Sequence, residues 1–284
     1  MSVRRALRRG NVGKGDRDMK SLLRNNVREY GSGSTPMLFA HGFGCDQGMW
    51  RFVAPAFEQD HRVILFDHVG AGASDTSCYS REKYGTLSGY ADDIVEICTD
   101  LGLRNVVFVG HSVSAMIGVL AAIKAPHLFS RLILVAPSPR YIHDVDYQSA
   151  FTQKDIEGLL ELMDANFMAW SSIVAPTIMG NPDRPALSEE LNGSFCRTDH
   201  HIASHFARVT FLSDNRSDLP KLSCPSLILQ CSQDAIAPES VGDYLHRHLA
   251  HSAMQKLRAT GHCPNLSAPE ETIAAIRLYL ASQN

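Results

Sequence analysis

Val106-Val-Phe-Val-Gly-His-Ser112-Val-Ser-Ala-Met-Ile-Gly118 decides how the chain is read. Four apolar residues run into Gly110, and a helical pattern opens directly after Ser112. Strand, corner and helix leave Ser112 on the turn itself, where a serine hydroxyl is exposed at the top of a sheet. The backbone at such a corner is strained, so the residues two before and two after must be small. Gly110 meets that demand. Ser114 stands where glycine is usual and is the next smallest polar choice.

Outward from this corner, short apolar runs at 37–40, 63–66, 106–109, 132–135 and 227–229 read as buried strands, with a weaker one at 254–257. Helical patterns fall between them at 89–101, 114–123, 240–249 and 270–281. In the first of these, Ile94, Ile97, Cys98 and Leu101 recur along one helical face. The alternation predicts an α/β fold with a mostly parallel central sheet flanked by helices on both faces. Residues 25–34, which end in Gly-Ser-Gly-Ser, predict an antiparallel hairpin ahead of it.

The rhythm breaks between Ala136 and Leu227, where about ninety residues show helical but no strand patterning. Pro137, Pro139, Pro176, Pro182 and Pro185 punctuate this stretch into short helices. Its apolar residues, among them Phe151, Leu159, Met163, Trp170 and Ile173, need a surface to pack against. The expected organisation is a core of 19–137 and 216–284, with 138–215 inserted as a helical cap.

Composition agrees with one large globule. Of 284 residues, 44% are hydrophobic and 20% charged, which excludes a largely disordered chain. No run of about eighteen apolar residues occurs, so neither a spanning helix nor a membrane partner is expected. A net charge of -3 gives no reason to expect nucleic acid. Seven cysteines without a C-x-x-C pair suit a reducing, cytoplasmic setting. Arg4, Arg5, Arg8, Arg9, Lys14 and Arg17 crowd the start with no apolar stretch behind them. Residues 1–18 are expected to be a disordered extension, or an artefact ahead of a start at Met19, and receive no function.

A serine hydroxyl is a poor nucleophile until a base takes its proton, and that base needs an orienting acid. On strand-turn-helix serines the partners follow in the order Ser, Asp or Glu, His. Leu227-Ile-Leu-Gln-Cys-Ser-Gln-Asp234 puts Asp234 just past a buried strand, and Ala259-Thr-Gly-His262 puts His262 after the last strand candidate. Both project from strand carboxyl ends, where open α/β sheets carry their sites. The catalytic residues expected are Ser112, Asp234 and His262. Phe39-Ala-His41-Gly42-Phe43-Gly44 follows the first central strand, so the backbone N–H groups of Phe43 and Val113 are the expected oxyanion donors.

Three motifs mislead. Asp67-His-Val-Gly70-Ala-Gly72-Ala-Ser74 lacks the third glycine and the helix of a dinucleotide loop; Asp67 and Ser74 are expected to brace a loop near the site. His200, His201 and His205 have helical spacing but no H-E-x-x-H arrangement, so no metal is expected. Cys263 has no resolving cysteine nearby in sequence and reads as packing. No cofactor is expected either.

His41-Gly-Phe-Gly-Cys-Asp-Gln47, Gly110-His-Ser-Val-Ser-Ala-Met-Ile-Gly118, Ala136-Pro-Ser-Pro-Arg140 and Gly261-His-Cys-Pro264 resemble the pattern of the α/β-hydrolase superfamily. Within it they are similar to the group holding the bacterial sigma-B regulator RsbQ and the plant karrikin and strigolactone receptors. Asn181-Pro-Asp-Arg-Pro185, Glu189-Glu-Leu191 and Leu227-Ile-Leu-Gln-Cys231 look closest to RsbQ. The resemblance runs from about Ser21 to the C-terminus. It implies an α/β-hydrolase fold with a four-helix cap over an apolar pocket lined by Phe43, Tyr141, Trp170, Val174 and Phe211. Val174 replaces a position that is often aromatic in the plant receptors.

The resemblance also implies slow hydrolysis of a small hydrophobic ester or butenolide-type lactone, with a signalling role. A PAS-domain phosphatase is the partner implied if the chain is RsbQ-like. A serine at the corner argues against dehalogenase and epoxide hydrolase chemistry, which need a carboxylate there. Hydroxynitrile lyase and cofactor-free haloperoxidase chemistry stay open on the same three residues. Two classes of function stand side by side: a serine hydrolase, and a ligand-gated signalling protein in which hydrolysis loads, modifies or clears the ligand.

Overall fold

The computed structural model describes residues 20–282. The expectations for residues 1–18 and for Met19 lie outside the described residues.

Seven strands form one sheet: β1 (Arg28–Tyr30), β2 (Thr35–Ala40), β3 (His61–Leu65), β4 (Val106–His111), β5 (Phe129–Val135), β6 (Ser226–Ser232) and β7 (Ser252–Thr260). Their order is β1-β3-β2-β4-β5-β6-β7. Every pair is parallel except β1 with β3. The central strands are buried on both faces, so they read as unbroken apolar runs. On the outer edge β7 alternates between covered and exposed positions, which is why its apolar signal is weak.

The helices are α1 (Lys20–Arg24), α2 (Leu87–Asp100), α3 (Val113–Lys124), α4 (Gln153–Ala165), α5 (Phe167–Met179), α6 (Pro185–Arg197), α7 (His200–Phe211), α8 (Glu239–His248), α9 (Pro264–Ser267) and α10 (Pro269–Ser282). Alternate residues of β2 serve the two faces of the sheet. Leu38 and Ala40 join a core with Ile94 of α2, Ile117 of α3 and Leu245 of α8. Met37 and Phe39 face the other way, toward Ala275 and Ile276 of α10 and toward the helices between β5 and β6. Each fully buried Leu, Ile or Phe in these layers contributes about 1.5–3 kcal/mol relative to exposure.

Two expectations are corrected. Arg28–Tyr30 is antiparallel, but it does not form a hairpin with the strand that follows it; it pairs with β3, Arg28 opposite Leu65. The intervening Gly31 and Gly33 press on the backbone of Glu58 to His61, where a Cβ would come within 2.4 Å and 2.1 Å of a carbonyl oxygen. The chain crosses the end of β3 there instead of turning back.

Nor does Pro176 end a helix. It lies inside α5, and the helix closes at Gly180 in a left-handed conformation, φ 60°. The N–H that Pro176 lacks leaves the Ser172 carbonyl in mid-helix without its helical donor, but Ser172 is on the exposed side of α5, and the Pro176 carbonyl still accepts the Gly180 N–H at 2.9 Å.

α4 to α7 occupy the long interval between β5 and β6. Local capping sets their bounds. Thr152 and Asp155 form a capping box at α4, Asn166 caps α5, Pro185 opens α6, and Asp199 accepts from two amides at α7. Ile173, expected to need cover, is 59% exposed, although part of it lines an internal cavity.

Candidate active site

Ser112 sits between β4 and α3 at φ 56°, ψ -123°, a conformation that a non-glycine residue holds only under constraint. Its N–H donates to the Val135 carbonyl at 2.9 Å, and its carbonyl accepts from Ala115 at 2.9 Å. Gly110 is obligatory in this corner. A Cβ there would stand 2.5 Å from the Ser114 carbonyl oxygen. Gly118 lets α3 lie directly on the Phe108 ring of β4.

The structure brings Ser112, His262 and Asp234 together. His262 Nε2 lies 2.7 Å from Ser112 Oγ, and His262 Nδ1 lies 2.8 Å from Asp234 Oδ2. A carboxylate only accepts, so Nδ1 carries the proton and Nε2 is free to receive one from the serine. Asp234 Oδ1 accepts from the amides of Ile236 and Ala237 at 2.8 Å and 3.0 Å, which fixes the carboxylate plane. The side chains of Asp234 and His262 are almost wholly buried.

The histidine loop is held by the end of α5 and the segment after it. His262 N–H donates to the Ile178 carbonyl in the last turn of α5, at 2.9 Å. Gly261, at φ 76°, approaches so closely that a Cβ would lie 1.9 Å from the Met179 carbonyl. Asn181 Nδ2 bridges the Met179 and Thr260 carbonyls, and Arg184 donates to the Ser267 carbonyl at 2.7 Å. His111 completes the frame: its Nε2–H donates to the His262 carbonyl at 2.7 Å. Burial first, and then the neighbouring His262, push the His111 imidazole down to about 3, so it stays neutral.

Phe43 follows Gly42, where a Cβ would stand 2.5 Å from His111 Nδ1. No loop acceptor among the described residues takes the Phe43 N–H. Val113 opens α3, where an amide has no intrahelical carbonyl to bond. Val113 adjoins Ser112 in sequence, and Gly42, just before Phe43, lies against the Ser112 side chain.

Ser112 and His262 open into a cavity of about 120 Å³. Phe43, Tyr141, Trp170, Val174 and Phe211 all line it. Phe43 is the hub, with ring centroids 6.1 Å from Trp170 and 5.9 Å from Phe211. Sequence reading missed Phe195, whose ring lies 5.9 Å from Phe43 and 5.2 Å from Trp170. Leu191 and Phe195 both line the cavity, one helical turn apart on α6, and that spacing was the available signal. Met163 and Leu160 of α4 line it as well.

The remaining singled-out residues lie elsewhere. Asp67 accepts from the Gln47 and Ala73 amides at 2.8 Å and 3.0 Å, and Ser74 Oγ from the Gly70 amide at 3.0 Å, so both brace the loop after β3. His200 and His201 pack ring on ring, while His205 Nδ1 pairs with the Tyr79 hydroxyl at 2.5 Å. Cys263 is buried at the cavity wall, and burial raises its thiol well above the ordinary range.

A seven-stranded, mostly parallel sheet with a strained serine on the strand-to-helix corner defines a class, and the chain belongs to the Alpha/beta hydrolase family, whose model matches residues 37–275. Among its relatives, the strigolactone esterase D14 of Arabidopsis thaliana is 39% identical, over 90% of this chain and 96% of that protein. The karrikin insensitive 2 receptor CA of Petunia hybrida is 38% identical, over 90% and 95% respectively. A solved hydrolase from Oleispira antarctica superposes with a TM-score of 0.91 at 38% identity, covering 94% of this chain and 98% of its own. Among the described residues no helix is long and apolar enough to cross a membrane.

Proposed function

We propose that the chain is a serine hydrolase of small hydrophobic esters or lactones, with Ser112 as nucleophile, His262 as general base and acid, and Asp234 as orienting carboxylate. The observation that carries this reading is the 2.7 Å contact between Ser112 Oγ and His262 Nε2 at the floor of an apolar cavity. Ser112 Oγ attacks the acyl carbon as His262 Nε2 takes its proton. The tetrahedral oxyanion is held by the N–H groups of Phe43 and Val113. His262 returns the proton to the leaving alkoxide, which departs as an alcohol or stays tethered if the substrate is a lactone. Water, deprotonated by His262, then attacks the acyl-serine and frees the acid.

Cavity size and lining favour a compact apolar acyl group, selected by Phe43, Tyr141, Trp170, Val174 and Phe211. Seven free thiols support a reducing, cytoplasmic location. The test is turnover of p-nitrophenyl acetate and of a butenolide by the native protein and by Ser112→Ala. A loss of at least about 10³-fold is expected. Undiminished hydrolysis by the variant overturns the assignment.

A second reading, ligand-gated signalling, is favoured by the bond from His262 N–H to the Ile178 carbonyl. A ligand against Trp170 or Val174 bears on the helix that holds the catalytic loop. The names of the karrikin and strigolactone relatives point the same way. The organisation this reading uses is a core of 19–137 and 216–284 with 138–215 as a moving cap. Its output would be a second protein, with a PAS-domain phosphatase the candidate taken from the resemblance to RsbQ. Slow single-turnover hydrolysis with a cap rearrangement supports it; rapid multiple turnover with an unmoved cap opposes it.

A further inference from the structure

Ser114 occupies a position where the strand-turn-helix corner ordinarily has glycine. It is completely buried, and its hydroxyl is engaged on both sides. Oγ donates to the His41 carbonyl, and His68 Nε2 lies 2.7 Å from the same oxygen. The His68 amide reaches His41 Nε2 at 3.0 Å, and His41 Nδ1 lies 2.9 Å from the Gly42 carbonyl.

These contacts admit one arrangement of hydrogens. A carbonyl only accepts, so His41 carries its proton on Nδ1 and receives the His68 amide on Nε2. Ser114 spends its single hydrogen on the His41 carbonyl, so His68 must donate from Nε2. Burial lowers both imidazoles, and they are neutral in this chain. The two rings meet edge to face, with centroids 4.7 Å apart. The tie ends on His41 and Gly42, immediately before Phe43.

We propose that Ser114 is a positioning residue for acyl transfer: its hydroxyl, with His68, fastens the His41-Gly42-Phe43 loop to the helix that carries Ser112 and so sets where the Phe43 N–H points. The inference rests on Phe43 N–H being an oxyanion donor. The loop has a second reason to need fastening. Gly42 has no side chain to wedge it against His111, so its peptide is held by hydrogen bonds, among them the one from His41 Nδ1 to its carbonyl, and His41 is the residue that Ser114 fastens. With glycine or alanine at 114, the His41 carbonyl and the His68 N–H both lose a buried partner.

The test compares native protein, Ser114→Ala and Ser114→Gly on p-nitrophenyl acetate, with phenylboronic acid as a probe that forms a tetrahedral adduct on the serine. For both variants kcat is expected to fall about 10–100-fold with KM little changed, and boronate affinity to fall by a similar factor. A hydroxyl with only a structural role would lower the melting temperature and leave boronate affinity and kcat at native values, and that result overturns the proposal. If the variants do not fold, His68→Leu and His68→Gln read the same tie. The leucine is expected to reproduce the loss and the glutamine, which still donates, to recover most of it; equal behaviour of the two overturns the proposal. Ser112→Ala separates the levels. If it retains turnover, the catalytic reading fails, whatever Ser114 does.

Discussion

The amide of His262 donates to the carbonyl of Ile178 at 2.9 Å, so the last turn of α5 and the loop that carries this imidazole share a hydrogen bond. α5 also lines the cavity through Trp170, Val174 and Ile178. One helix therefore touches both the cavity and the backbone of His262. The seam works because Gly180 and Gly261 bring two segments of the chain into backbone contact, and an alanine Cβ at 180 would stand 2.8 Å from Gly261 Cα.

Gly261→Ala should break this seam. Its Cβ would meet the Met179 carbonyl at 1.9 Å, and φ 76° strains any L side chain. A cost of about 1–3 kcal/mol for the backbone alone lowers the melting temperature by roughly 2–10 °C. Displacement of His262 from Ser112 should lower kcat about 100-fold. Calorimetry and ester turnover check both; a stable, fully active variant would show that the seam is not needed.

Val174 sets the size of the cavity on the α5 side. Val174→Phe fills part of a space of about 120 Å³ from the α5 side. Its kcat/KM for p-nitrophenyl butyrate should fall at least about tenfold, while that for the acetate stays within a few-fold. Equal losses on both esters would place Val174 outside the acyl site.

Stability should decline on the acid side of neutrality. His41, His68 and His111 are each held below the ordinary histidine value, chiefly by burial, with His111 at about 3. Between a folded value of about 3 and an unfolded value near 6.5, the unfolded chain binds the extra proton, so stability rises with pH through that window. The stabilising contribution is complete above about 6.5 and is lost as pH falls below it. Each group changes the unfolding equilibrium by up to about tenfold per pH unit there. Melting curves from pH 7.5 to 5 should show a falling midpoint, with a shallower fall for His111→Gln. A flat profile would mean that these imidazoles are not held neutral.

The sheet and the corner were legible in the sequence because their causes are local. Val106–His111 is buried on both faces, so it is apolar throughout, and the small residue at Gly110 is forced by the carbonyl of Ser114. Chain order alone led to Asp234 and His262, since each follows a strand. What the sequence hid is set by contacts across the fold. The edge pairing of Arg28–Tyr30 depends on where Gly31 and Gly33 cross β3. Pro176 looked like a break because sequence alone does not tell that the Ser172 carbonyl it leaves without a donor faces outward, while α5 runs on to Gly180. Phe195 reaches the cavity through the packing of α6 on α5; its helical spacing from Leu191 marks an apolar face but does not say which helix that face meets.

Covalent labelling tests the assignment of Ser112 most directly. The protein is incubated with a fluorophosphonate, and the adduct is located by intact mass and peptide mapping. The expected result is one equivalent per chain, on Ser112, with Ser112→Ala unlabelled and inactive on esters. Label on another residue, or an unlabelled native protein that still hydrolyses esters, would contradict it.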